Sequence, residues 1–276
     1  MNTALYIARR YLFAKKSTNA INIISAISVL GVFIGSASLI VILSVFNGFE
    51  DVVIKMFNTI TPQIIVQPVN GKTFNPNTTY FNELKKDKSI FSYTEVLSEN
   101  ALIRYNDKQS PALIKGVSND FLKNTSLDSI VIDGHFVLEN ASGPNAVVGS
   151  ALQAYLGVNP SDAFMPLQIY SPKKGIKASS INPLDDFIVL NISPSGVFEV
   201  QQDFDNLAIV PIAFARQLLE EPVNVSAIEI DLNKGINADK LKTQIENKLG
   251  KDFIVKNRIQ QNQALYNVLS SEKCIV

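Results

Sequence analysis

The chain has 276 residues, 46% of them hydrophobic, and its 25 basic side chains are balanced by 25 acidic ones. With no net charge there is no basic field for a nucleic acid to follow, which excludes that class of partner. The single cysteine, Cys274, excludes an intrachain disulfide framework.

In chain order, Ala4, Leu5, Ala8, Tyr11 and Leu12 recur at helical spacing beside Arg9 and Arg10. This pattern fits either a helix lying on the inner leaflet or a plain basic extension. From Ser17 to Phe49 there is no charged residue. A bilayer core needs about 20 apolar residues in helical form, so the spacing predicts a transmembrane helix over 20–47. Arg9, Arg10, Lys15 and Lys16 precede it and Glu50-Asp51 follow it, which places the N-terminus in the cytoplasm and the bulk of the chain outside. A cleaved signal peptide would have an apolar core of only about 7–15 residues. Within the span, Ser28, Gly31, Gly35 and Ser38 form a small-residue face, which suits close packing against another helix where lipid offers no hydrophobic drive.

The outer region begins with an extended run, Ile64-Ile65-Val66, closed by Pro68. A short helix follows over Tyr80–Lys88, then strands at Tyr93–Leu97, Ala101–Tyr105 and Ala112–Val117, with Asn106-Asp107 as the turn between the last two. Near the other end, Ser226–Leu232 alternates apolar and polar residues as a half-buried strand. Asn237 caps a helix over Ala238–Leu249, Gly250 stops it, and Phe253–Val255 is a further strand. Two strand–helix–strand units thus bracket the region.

The middle is punctuated by Gly134, Gly143-Pro144, Pro160, Pro172, Pro183 and Pro194. Its short apolar runs are Ile130–Ile132, Ala146–Val148, Met165–Tyr170, Phe187–Leu190 and Leu207–Val210, with short helices expected over Ser150–Leu156 and Ile212–Glu220. The expected fold is a membrane-anchored α+β chain. Residues 1–19 are a cytoplasmic amphipathic segment, 20–47 the first transmembrane helix, and 48–118 and 223–262 the two parts of an α/β domain. That domain is split by a β-rich insert at 119–222, and 263–276 leads onward. There Cys274-Ile275-Val276, following Glu272-Lys273, fit either the opening of a second span or a plain tail.

Catalytic and metal-binding signatures are not found. His135 is the only histidine, lies in Asp133-Gly134-His135-Phe136, and has no nucleophile-elbow pattern beside it, so a turn role is expected. One histidine and one cysteine make no metal cluster, and no phosphate-cradling Gly-x-x-x-x-Gly-Lys loop is present. No catalytic residue, cofactor or metal is therefore assigned.

Arg9-Arg10-Tyr11-Leu12, Asn22-Ile23-Ile24-Ser25, Ile27 to Gly31, Ile34-Gly35 and above all Leu43-Ser44-Val45-Phe46-Asn47-Gly48-Phe49-Glu50 resemble the N-terminus of lipoprotein-releasing ABC permeases. These are the LolC/LolE type, within the wider FtsX-like and MacB-like group. Val147-Val148-Gly149, Leu152, Leu156-Gly157-Val158 and Asn262 to Lys273 continue the likeness in order. It implies a permease subunit in the bacterial inner membrane, with a porter-like periplasmic domain split by a β-rich part and a second span opening at 274–276. It also implies a separate ABC ATPase subunit, a second permease subunit (identical or paralogous), lipoprotein cargo drawn from membrane lipid, and a periplasmic lipoprotein carrier. The carrier would dock on a protruding loop, which maps here onto Pro172, Lys173, Lys174, Lys177 and Pro183. The chain departs from the family pattern at Gln63, where a histidine is common after the proline, and at Arg258-Ile259, where a tryptophan is common. An exporter of other cargo, a regulator of the same group and a single-pass envelope binding protein are the competing readings.

Overall fold

The computed structural model describes residues 3, 6, 7, 10, 19–124, 126–162, 164–175, 186–200 and 206–263. The chain divides into two compact units, Met1–Val53 and Ile54–Val276. The first is dominated by helix α1, Asn19–Ile60, whose residues from Ile54 onward belong to the second unit. Within α1, Ile23–Phe49 forms a 27-residue stretch of mean hydropathy 2.5 with none of it buried. At 1.5 Å per residue it is about 40 Å long, more than the roughly 30 Å of a bilayer's hydrocarbon. The Ser28 hydroxyl donates to the Ile24 carbonyl at 2.9 Å, so this polar group is satisfied on the helix itself. The helix does not end where the apolar run ends. No proline or cap interrupts it before Ile60, and Thr61-Pro62 closes it.

The second unit opens with β1 (Ile64–Pro68), α2 (Thr79–Leu84), β2 (Ile90–Tyr105) and β3 (Lys108–Val117). Helix α2 starts at Thr78, whose hydroxyl accepts the Phe81 N–H. It ends four residues before the expected limit, because the Asp87 carboxylate takes the Ser89 N–H and Oγ–H at 2.8 and 2.7 Å and sets a turn. The same two hydrogen bonds lower the pKa of Asp87 below the ordinary carboxylate value. The two strands expected at 93–97 and 101–105 are one. Ser98, Glu99 and Asn100 keep pairing with Lys115, Ile114 and Leu113, so polar side chains there leave the backbone ladder intact. Asn106 makes the turn with φ 55°, a conformation asparagine tolerates.

The middle supplies β4 (Val131–Gly134), β5 (Glu139–Asn140), β6 (Gly143–Gly149), α3 (Ser150–Leu156), β7 (Leu167–Pro172), β8 (Phe187–Phe198), β9 (Leu207–Pro211) and α4 (Ile212–Leu218). The chain then adds β10 (Ala227–Leu232), α5 (Ala238–Leu249), β11 (Phe253–Asn257) and α6 (Arg258–Gln261). As expected, Asn237 caps α5 by accepting the Lys240 N–H at 3.1 Å, and Gly250 stops it with φ 68°.

Strands β11, β1, β10 and β2 lie in that order, each antiparallel to its neighbour. With one strand–helix–strand unit from each end of the region, this is a split β-α-β-β-α-β arrangement. Helices α2 and α5 bury Phe81, Leu84, Leu241 and Ile245 against Ile64, Val66, Ile228, Ile230 and Val255 of the sheet. The β-rich middle is not a separate layer. Strand β3 pairs in parallel with β9, β9 antiparallel with β6, and β6 in parallel with β8, so the same mixed sheet continues. Strand β2 joins the two parts, pairing first with β10 and then with β7. Strand β8 runs through Pro194 because a register shift at Ser195 absorbs the missing N–H. Beside it Gly196 has no room for a side chain: a Cβ there would sit 2.4 Å from the carbonyl oxygen of His135. His135 lies exposed in the irregular segment after β4, its N–H donated to the Ser195 carbonyl at 2.9 Å.

Candidate functional site

Side chains alternate faces along a strand, so Ala227, Glu229 and Asp231 of β10 share a face with Ser92, Thr94 and Val96 of β2 and Lys115 and Val117 of β3. Alternation alone makes this the solvent face. In the fold it is covered by Ile60, at the end of α1, and by Phe121, Leu127 and Ile130 from the segment after β3. A polar stripe is thereby largely buried within the unit.

The stripe is satisfied group by group. Lys115 Nζ lies 2.7 Å from Glu229 Oε1 and 3.0 Å from Oε2, with both side chains about nine-tenths buried. The ammonium also sits 5.3 Å from the centre of the Phe121 ring. Burial pushes the Glu229 carboxyl above its ordinary value, and the adjacent Lys115 pulls it back. Ser92 donates its hydroxyl to the Asp120 carbonyl at 2.7 Å. Over the same face lies an open cleft of about 530 Å³ lined by Ile65, Val96, Leu207 and Ile254 together with Lys115 and Glu229.

Asp231, two residues along, gathers the segment just after α1 and the segment just after β11. Its carboxylate accepts the Gln63 N–H at 3.1 Å and faces an Arg258 guanidinium nitrogen at 3.4 Å. Burial raises its pKa as well, opposed first by the Gln63 hydrogen bond and then by Arg258. The Gln63 side chain returns the contact, accepting the Leu232 N–H at 3.1 Å. Arg258 Nε donates to the Thr61 carbonyl at 2.9 Å, and the Gln261 amide donates to the Pro62 carbonyl at 3.1 Å. From the other side the Asn124 amide holds the Thr59 carbonyl at 2.6 Å. The start of α6 is itself fixed by a capping box, Asn257 with Gln260.

The sites expected from sequence lie elsewhere. Ser28, Gly31, Gly35 and Ser38 fall on one stripe of α1, all exposed, with open space at both glycines. Of the loop after β7, Pro172, Lys173 and Lys174 are described, while Lys177 and Pro183 lie outside the described residues, as do 264–276. Lys174 is not simply solvated: its ammonium pairs with Glu221, and its N–H donates to the Glu220 carboxylate at 3.0 Å. Among the described residues no three His, Cys, Asp or Glu side chains gather as metal ligands. Lys115, Glu229 and Asp231 were missed because their cover comes from segments remote in sequence. The signal within reach was Gln63 and Arg258, the two departures from the family pattern, which meet at Asp231.

The family model of the MacB-like periplasmic core domain matches residues 25–248. The lipoprotein-releasing system transmembrane protein LolC of Buchnera aphidicola subsp. Schizaphis graminum is 25% identical over 277 residues, covering 99% of this chain and 65% of that protein. LolC of Neisseria meningitidis serogroup B is 23% identical over 274 residues, covering 97% and 64%. The chain thus spans 64–65% of the length of these relatives. Among solved structures, the periplasmic region of MacB from Actinobacillus actinomycetemcomitans superposes with a TM-score of 0.50 at 14% identity, covering 78% of this chain and 98% of that one. That likeness concerns the fold alone.

Proposed function

The chain belongs to the family of the MacB-like periplasmic core domain, and from that premise we propose that it is a permease subunit of a lipoprotein-releasing ABC transporter. The observation that carries the reading is the combination of two parts in one chain. An apolar helix of membrane-spanning length, with none of it buried, stands before the sheet domain, and LolC relatives align with both parts over nearly the whole chain. In this reading the inner membrane holds α1, with Arg9, Arg10, Lys15 and Lys16 in the cytoplasm and the sheet domain in the periplasm. ATP is hydrolysed by a separate subunit. This chain contributes no catalytic group and instead moves, together with a second permease subunit, to expel a lipoprotein from the outer leaflet.

The full-length protein, isolated in mild detergent and examined by mass spectrometry, is expected to bring with it an ATPase and a second permease subunit. In proteoliposomes it should then release lipoprotein only with ATP. A chain isolated alone, without ATPase, overturns the reading, while an ATPase without lipoprotein release points to an exporter of other cargo or a regulator of the same family. The Ser28, Gly31, Gly35, Ser38 stripe is assigned to the permease–permease contact, so G31L/G35L should lower recovery of the second subunit several-fold; unchanged recovery removes that assignment.

We also place the docking of a periplasmic carrier on the Pro172–Pro183 loop. Deleting residues 173–180 should reduce capture of the carrier by the full-length protein, and undiminished capture sinks this assignment. Lys174 is the residue to spare in a milder variant, because Glu220 and Glu221 already anchor it to the domain.

A further inference from the structure

Three hydrogen-bonding side chains near the C-terminal end of the described chain reach the backbone and side chains just after α1. Arg258 takes the Thr61 carbonyl, Gln261 the Pro62 carbonyl, and the Asn262 amide the Thr61 hydroxyl at 3.4 Å. Between them Asp231 accepts the Gln63 N–H and faces Arg258, so β10 is tied to both passages. Strands β1 and β11 are also direct antiparallel neighbours, with Ile64 opposite Asn257 and Ile65 opposite Lys256. A guanidinium presents several donors in a planar fork, which lets one side chain serve a carbonyl and a carboxylate together. A lysine presents its donors from a single nitrogen and lacks that fork.

We propose that Arg258 is a positioning residue: with Asp231 and Gln63 it forms a clasp that holds the passage just after α1, Thr61–Gln63, against the passage just after β11, Arg258–Asn262. The two passages then shift only as one piece with β1, β10 and β11. A displacement of either passage is delivered to the sheet as a whole and is not lost as local fraying of the end strands. The consequence for transport rests on the reading above; the clasp itself does not.

The test uses the full-length protein with its partner subunits, in a Cys274→Ser background. Hydrogen exchange of Arg258→Gln should rise about tenfold or more in peptides covering 61–66, 230–232 and 256–262, with peptides over β6 and β8 unchanged. No rise there, or a uniform rise over the whole domain, overturns the clasp. In proteoliposomes the same variant should hydrolyse ATP within twofold of the parent, while lipoprotein released per ATP falls at least fivefold. Cross-strand neighbours lie about 4.5–5.5 Å apart at Cβ, so I65C/K256C can bridge β1 to β11. Oxidised in the Arg258→Gln background it should restore the coupling ratio, and reduced it should not. An unaltered ratio in Arg258→Gln, or no recovery on oxidation, also overturns the proposal. If the parent complex releases no lipoprotein, the transport reading fails and the exchange measurement alone decides the clasp.

Discussion

Lys115→Met lowers the unfolding free energy at neutral pH by about 3–5 kcal/mol, the usual cost of leaving one member of a buried ion pair alone. The lysine does not sit beside its partner in the ladder: it lies on β3, Glu229 lies on β10, and β2 runs between them. Removing the ammonium leaves a buried carboxylate beside Ile60 and Phe121 without its partner. Burial has already raised the Glu229 carboxyl, and without Lys115 nothing opposes that rise. A carboxyl whose folded value exceeds its unfolded value loses stability as pH rises through that window and regains it as pH falls. The deficit of Lys115→Met therefore shrinks on acidification from neutral toward the ordinary carboxylate range. The double variant K115M/E229L, which removes both charges, should unfold close to the parent, since an apolar pair of similar volume carries no desolvation cost. With no tryptophan in the chain, far-UV circular dichroism in urea is the suitable measurement. A single variant as stable as the parent would mean that water enters this part of the stripe freely.

Gly116→Ala costs about 3 kcal/mol, at the upper end of what overpacking a core does. A Cβ at this position would lie 2.2 Å from the Cβ of Ala215 on α4 and 3.2 Å from the Leu97 carbonyl oxygen on β2. The β2–β3 ladder holds the glycine on one side, so the helix has to move, and with it Phe214 and Leu218 of the core. Ala215→Gly removes the worst contact at a helix-propensity cost of about 1 kcal/mol. The double variant G116A/A215G should accordingly be more stable than Gly116→Ala alone, a non-additivity that a thermal unfolding series reads directly. Additive losses would mean that the cost arises from the Leu97 carbonyl and not from the helix.

How much was legible differs from element to element, for a physical reason. Local chemistry announces itself: an uncharged run from Ser17 to Phe49, an Asn237 cap with a Gly250 stop, and a turn at Asn106 are each decided by the residues within them. The end of α1 was less visible, because polar residues after Phe49 look like the end of a span although the backbone has no reason to stop before Pro62. The join of the two β regions was not visible. Ser98, Glu99 and Asn100 read as a break, and only pairing with β3, itself set by the hairpin at Asn106, shows that one strand continues. The candidate site was hidden most completely. Glu229 and Asp231 alternate with Ile228 and Ile230, and alternation cannot say which face another segment will cover.

Composition and periodicity by themselves determined that a long apolar helix lies near the start of this sequence and that two strand–helix–strand units bracket the region after it, since both depend on interactions within a few residues. The tertiary structure alone decided that the polar face of β10 lies inside, that Lys115 reaches across a strand to Glu229, and that Gln63 and Arg258 meet at Asp231. Those arrangements join residues as much as 195 positions apart, from Gln63 to Arg258. The free energy that selects them comes from the burial and pairing of whole surfaces, which no local pattern records.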